Sequence, residues 1–244
     1  MTIETHQQKM RDLVLARYGN LARASLLHRL RFRLKRAGWA GVVQGSYLLK
    51  RLMDIIASTI LMVLLIPVFL GVALAIRIES PGPILFRQTR VGRWGELFTM
   101  WKFRSMFADA EARKAELLKQ NEMQGGVIFK MREDPRITRV GRFIRKTSID
   151  ELPQLWNVFK GDMSLVGPRP PVPMEVNEYS LADRRRLEVI PGITCIWQVS
   201  GRSEIPFDQQ VELDVEYIQS QSFWTDIKIL LKTIPALLFG KGAY

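Results

Sequence analysis

The chain has 244 residues, of which 47% are hydrophobic and 25% charged, a balance that fits a folded protein of one compact domain plus accessories. Its single cysteine, Cys195, excludes a disulfide framework and a cysteine-rich zinc site, and suits a reducing compartment. The net charge of +12 is concentrated at the start: residues 1–51 carry +9 and the remainder +3. That placement favours anionic membrane lipids over nucleic acid as the partner of the basic arm.

Residues 11–37 interleave leucines with Arg17, Arg23, Arg29, Arg31, Arg33, Lys35 and Arg36, a pattern predicting one or two basic amphipathic helices at a membrane surface. Ile55 to Ile76 is an uncharged run of 22 residues. As a straight helix it would measure roughly 33 Å, about one hydrocarbon core. Pro67 interrupts it and favours a kink, and both flanks are basic. Sequence physics leaves spanning and re-entrant topologies both open.

After Ser80-Pro81-Gly82-Pro83, the segments 84–89 and 97–102 flank Gly92-Arg93-Trp94-Gly95 and predict a β-hairpin. Lys102 and Arg104, two apart at its end, share a face if the strand extends that far. A mixed-charge helix is predicted over 108–121, with a break at Gly125-Gly126. Leu152, Leu155, Trp156 and Phe159 follow helical spacing, and Gly161 ends that helix. A charged helix over 181–189, a strand over 193–199 and two closing helices over 207–220 and 224–239 complete the reading. The fold class is α+β, mostly helical.

Both histidines, His6 and His28, precede residue 52, so proton transfer and covalent chemistry in the body fall to carboxylates. Asp150-Glu151 is the best-placed pair. Local rules favour a bland role for it: Asp150 as N-cap with Pro153 in the first turn, or a Ser148–Glu151 capping box. The surrounding charge argues otherwise. Arg142, Arg145 and Lys146 precede the pair, and Lys160 and Arg169 follow. Such cations hold a carboxylate ionised and bind phosphate, and paired carboxylates with phosphate oxygens suit Mg2+. In Gly167-Pro168-Arg169-Pro170 the prolines limit where the guanidinium can point, as bidentate phosphate recognition requires. Arg202 is a second loop arginine. No Walker A pattern, G-x-G-x-x-G, histidine triad or HExxH occurs, so kinase and dinucleotide-dehydrogenase readings lose support.

Five stretches occur in a telling order: Ser80-Pro-Gly-Pro-Ile, Trp101-Lys-Phe-Arg-Ser-Met, Asp134-Pro-Arg-Ile-Thr-Arg-Val-Gly-Arg, Thr147 to Pro170, and Pro191-Gly-Ile-Thr through Gly201-Arg202. From about Lys50 to Tyr244 the chain resembles the bacterial sugar transferases, specifically the monotopic polyprenyl-phosphate phosphoglycosyl transferases in their short form. The resemblance implies transfer of a sugar phosphate from a UDP-sugar donor to an undecaprenyl phosphate acceptor, with release of UMP, at the cytoplasmic face of the bacterial inner membrane. It implies Asp150 as nucleophile forming a phosphosugar–aspartyl enzyme, Glu151 as Mg2+ ligand, and Lys102, Arg145, Arg169 and Arg202 around the phosphates. Gly167, Pro168 and Pro170 would shape the nucleotide-sugar loop. A carboxylate nucleophile, already ionised at neutral pH, needs no base.

The expected organisation is a basic arm (1–49), a re-entrant membrane helix (50–78) and a cytoplasmic transferase domain (79–244). One departure is that Ile66 precedes Pro67 where related small members often carry serine. Cys195, in place of a small residue, reads as packing. Against the enzyme stand two alternatives: a non-catalytic membrane adaptor binding anionic lipid, and a membrane-associated nucleic-acid binder. The transferred sugar stays open between glucose, galactose and N-acetylated sugars, and so does the oligomeric state, a homodimer included.

Overall fold

A computed structural model describes residues 26–110, 134–201 and 205–239. The predicted helix over 108–121 and the break at Gly125-Gly126 lie almost wholly outside them, as do residues 11–25 of the basic arm and Arg202. The chain divides into two units, 1–48 and 49–244. In the first, helix α1 (Leu26–Leu64) begins; it continues into the second. There follow α2 (Ile66–Glu79), β1 (Leu85–Val91), β2 (Leu97–Phe103), α3 (Arg139–Lys146), α4 (Gln154–Lys160), β3 (Ser164–Val166), α5 (Pro173–Asn177), β4 (Gly192–Thr194), α6 (Ile196–Ser200), α7 (Phe207–Ser220) and α8 (Phe223–Phe239). The fold is mostly helical with two small two-stranded sheets.

The kink expected at Pro67 is present. No single described helix is long and apolar enough to cross a membrane; Gly45–Leu64 and Ile66–Glu79 pass that test only as a pair bent by 60°. Pro67 lies in the first turn of α2, where its missing N–H and its ring disturb the preceding turn. Leu52, Ile56, Ile60, Val63, Leu64, Leu70, Leu74 and Ile78 leave much of the pair's surface apolar and exposed.

Within the second unit, both arms of this bent pair are bonded to the elements that follow them. At the entry, Lys50 Nζ donates to the Val166 carbonyl at 3.0 Å and pairs with Asp226 at 2.5 Å. Tyr217 Oη donates to Asp226 Oδ1 at 2.8 Å beside it. Arg51 caps the end of α4 through the Val158 and Phe159 carbonyls, at 2.6 and 2.7 Å. Asp54 accepts from the Leu165 amide at 3.0 Å. At the exit, Glu79 accepts from the Arg139 and Val140 amides at 2.7 and 2.8 Å, capping α3.

The hairpin forms as expected, antiparallel with Phe86 opposite Lys102 and Gln88 opposite Met100. The strand ends at Phe103, so Arg104 does not share a site with Lys102; its guanidinium donates to the Ser80 and Pro81 carbonyls. The main core gathers Met100, Leu155, Val158, Met163, Leu165, Val166, Tyr217 and Ile229. A smaller one joins Ile76, Phe103 and Ile144.

Three other expectations are corrected. The strand predicted over 193–199 stops at Thr194, and Ile196–Ser200 is helical, because β4 pairs only with the three-residue β3. The charged segment is a 3-10 helix over Asp183–Glu188. In α4 the buried face is Gln154, Leu155, Asn157 and Val158, while Trp156 and Phe159 stack on each other in solvent with centroids 5.6 Å apart. Apolar spacing misjudged that face because two amides occupy its inward positions.

Lys50→Met should leave the fully buried Asp226 without its cation. Loss of one partner of a buried pair costs about 3–5 kcal/mol, so thermal unfolding in detergent should fall markedly, and less for Lys50→Met combined with Asp226→Asn.

Candidate active site

The Asp150-Glu151 pair is not a helix cap. Ser148 turns left-handed (φ 56°), its side chain makes no capping bond, and Asp150 and Glu151 occupy a single 3-10 turn, Ile149–Glu151. Pro153 occupies the N-cap position of α4 instead. Neither the predicted Asp150 cap nor the Ser148–Glu151 capping box forms, because the left-handed residue breaks the chain's helical course one turn ahead of α4.

Asn157 sets where that turn sits. Fully buried on α4, it accepts from the Trp101 amide at 3.1 Å and donates to the Thr99 carbonyl at 2.7 Å and to Asp162 at 3.1 Å. These bonds fasten α4 along β2. In that register Lys102 Nζ reaches Glu151 Oε1 at 2.6 Å. Gly161, at φ 103°, closes α4 in the left-handed conformation glycine adopts most easily.

The Gly-Pro-Arg-Pro turn is held from two sides. The Gly192 amide donates to the Pro168 carbonyl at 2.9 Å, and the Gly167 amide to Thr194 at 3.0 Å. Gly167 and Gly192 pass so closely that a Cβ on Gly192 would collide with the Gly167 backbone nitrogen. From the hairpin, the Val91 amide donates to Pro171 and Arg90 Nη1 to Pro170, both at 2.9 Å. Pro168 is buried and Arg169 exposed, so the turn presents the guanidinium.

Arg90, Lys102, Glu151 and Arg169 line one pocket. The uncharged side chains of Gln154, Gln198, Met100 and Ile193 line it too. Of the sequence candidates, Glu151, Lys102, Arg169 and Pro170 therefore meet directly, with Gly167 and Pro168 supporting the turn. Arg145, at the end of α3, acts on Asp150 through its charge from outside the lining. Arg202 is outside the described residues, and Arg104 is elsewhere.

The two carboxyls titrate differently. Burial pushes Asp150 up to about 6, with the Glu151 charge adding to the rise and Lys102 and Arg145 opposing it. Burial also acts on Glu151, but Lys102 and then Arg169 outweigh it and hold that carboxyl below its usual range. The expectation that cations dominate thus holds at Glu151 and reverses at Asp150. No ion pair or hydrogen bond from another described residue engages the Asp150 carboxylate.

Sequence reasoning missed Arg90, Gln154, Asn157 and Gln198. The hairpin's two-residue period places Arg90 on the face of Met100 and Lys102, a signal available in the sequence. Burial, and then the charge of Arg169, pulls the Arg90 guanidinium down to about 10. The three amides carry no charge and no motif to flag them.

Residues 45–240 match the family described as bacterial sugar transferase. The chain belongs to this family. Among its relatives, galactosyl transferase CpsE of Streptococcus agalactiae is 55% identical over 166 residues, covering 68% of this chain and 37% of CpsE. Undecaprenyl-phosphate galactose phosphotransferase of Salmonella typhimurium is 43% identical over 204 residues, 82% of this chain and 43% of the relative. UDP-glucose:undecaprenyl-phosphate glucose-1-phosphate transferase of Caulobacter vibrioides is 42% identical over 203 residues, 80% and 72% respectively. This sugar transferase chain spans about two fifths of the length of the first two relatives. The family match runs from α1 to the end of α8, and so includes every pocket residue described above.

Asn157→Ala should strand the buried Trp101 amide and Thr99 carbonyl and loosen the Lys102–Glu151 register. Unsatisfied buried groups cost about 1–3 kcal/mol each, so the melting temperature should drop together with activity; loss of neither would contradict the assigned role.

Proposed function

We propose that this chain transfers a sugar-1-phosphate from a UDP-sugar to undecaprenyl phosphate, releasing UMP and starting exopolysaccharide synthesis. The observation that carries the reading is the dyad's division of labour: Glu151 is ion-paired within a cationic pocket, while buried Asp150 has no ion pair with a described residue. The activities named for the Salmonella and Caulobacter relatives support the same reaction class.

Asp150 is the nucleophile. Its carboxylate oxygen attacks the phosphorus bonded to the sugar, and the bond from that phosphorus to the bridging oxygen breaks. UMP leaves with the bridging oxygen and its electron pair. An undecaprenyl phosphate oxygen then attacks the same phosphorus, restoring the Asp150 carboxylate and forming the lipid diphosphate sugar. Lys102, Arg90 and Arg169 bind and orient the phosphates and stabilise the charge developing on the leaving oxygens. A pKa near 6 leaves Asp150 mostly ionised at neutral pH without a base, while burial strips it of solvating water.

The donor set fits Mg2+. Among the described residues no group of three or more His, Cys, Asp or Glu gathers into a metal cage. Mg2+ commonly takes one or two carboxylates and completes its shell with water and substrate phosphate. Glu151 would hold it beside Asp150, and when bound it would neutralise charge on the diphosphate.

The reading places the protein on one leaflet, with the catalytic unit on the cytoplasmic face. Support comes from the 60° bend and from the bonds of both helix arms to one unit, Lys50, Arg51 and Asp54 at one end and Glu79 at the other. A membrane-spanning helix would put those ends on opposite sides. Arg77 and Lys50 then lie on the same, positive-inside face.

Incubation with labelled UDP-glucose or UDP-galactose and no acceptor should release UMP stoichiometrically and leave a phosphosugar mass on the peptide containing Asp150. Asp150→Asn should lower turnover by roughly a thousandfold or more; near-normal turnover would eliminate the covalent route. EDTA should stop UMP release and added Mg2+ restore it, whereas activity indifferent to both would remove the metal from the scheme.

A further inference from the structure

Gln154 has a carboxamide that is unpaired but not sealed off from the pocket. It is 3% exposed and lines the pocket, yet no described residue hydrogen-bonds its side chain. Asn157, one turn further along α4, is equally buried and has both ends of its amide engaged. An amide that opens onto a pocket with no protein partner is free to bond a bound molecule. Gln198 is half-committed: its Oε1 accepts from the Cys195 thiol at 3.1 Å, and its NH2 group makes no hydrogen bond to a described residue.

These two carboxamides line the same pocket as Arg90, Lys102 and Arg169. Cations suit phosphates. A carboxamide, with two donors and an acceptor, suits a neutral polyhydroxyl group. Gln154 follows Glu151 by three residues, and both line the pocket. The neutral group nearest the attacked phosphorus is the sugar bonded to it.

We propose that Gln154, with Gln198 beside it, hydrogen-bonds the ring hydroxyls of the donor sugar and so sets which UDP-sugar is transferred. This inference rests on the function proposed above and deepens it. The uracil imide offers the same neutral donor–acceptor chemistry at the donor's other end, and the assay separates the two.

Full-length protein in detergent is assayed for UMP release with UDP-glucose, UDP-galactose and UDP-N-acetylglucosamine, with UMP as product inhibitor. Gln154→Leu should lower kcat/KM for the preferred sugar by about three- to tenfold, the worth of one neutral hydrogen bond. It should also compress the preference among the three sugars while leaving inhibition by UMP unchanged. Gln154→Met, closer in length, should do the same and serves if the leucine variant fails to fold.

An unchanged preference in an active, folded variant overturns the inference. A loss of UMP inhibition equal to the loss of kcat/KM assigns Gln154 to the uracil instead. A lowered melting temperature with unchanged sugar preference assigns it to packing. Wild-type protein releasing UMP from no UDP-sugar overturns the underlying function, an outcome distinct from all three.

Discussion

Lys50 carries a full charge to a place where three other segments need one. Its ammonium meets the Val166 carbonyl at the end of β3, the Tyr217 hydroxyl of α7 and the Asp226 carboxylate of α8. Val166 is the residue before the Gly-Pro-Arg-Pro turn. The position of Arg169 in the pocket therefore traces back to a charge on the bent helix pair. Removing water from such a group is expensive, and only several good partners at once make the site tolerable. That requirement fixes α1, β3, α7 and α8 to a common point.

Around that point the fold works by crossing short segments rather than by extended sheet. Two three-residue strands would be marginal alone, and here they are held by the glycine contact between residues 167 and 192. The hairpin approaches from the other side, tied to α4 by Asn157 and to the turn by Arg90. The Asp150-Glu151 pair thus lies among these supports, of which Asn157 and Arg90 are polar and buried. Positioning by hydrogen bonds suits a reaction in which phosphorus, nucleophile and leaving oxygen must stay nearly in line.

The sequence disclosed what depends on charge, proline and glycine. Asp150, Glu151, Lys102, Arg169 and the turn were legible because ionisable groups and fixed backbone angles mark themselves. The hairpin and the two closing helices were legible from periodicity. What escaped was decided by long-range pairing. Whether an amide faces inward, as Asn157 and Gln154 do, depends on partners over fifty residues away or on a ligand, and no local rule contains them. The 193–199 segment misled for a related reason: its β-branched run fits a strand, but only three residues have a strand to pair with. Asp150's raised pKa was equally hidden, since nearby cations are visible in the sequence and burial is not.

The pairing of Lys50 with Asp226 joins residues 176 positions apart. A ribosome has therefore delivered the bent helix pair, the dyad and the arginine turn long before the carboxylate that locks them together exists. Until α8 emerges, Lys50 lacks the Asp226 carboxylate that pairs with it beside Val166. The contact between Lys50 and Asp226 can therefore form only after α8 has been made, well after the segments it joins.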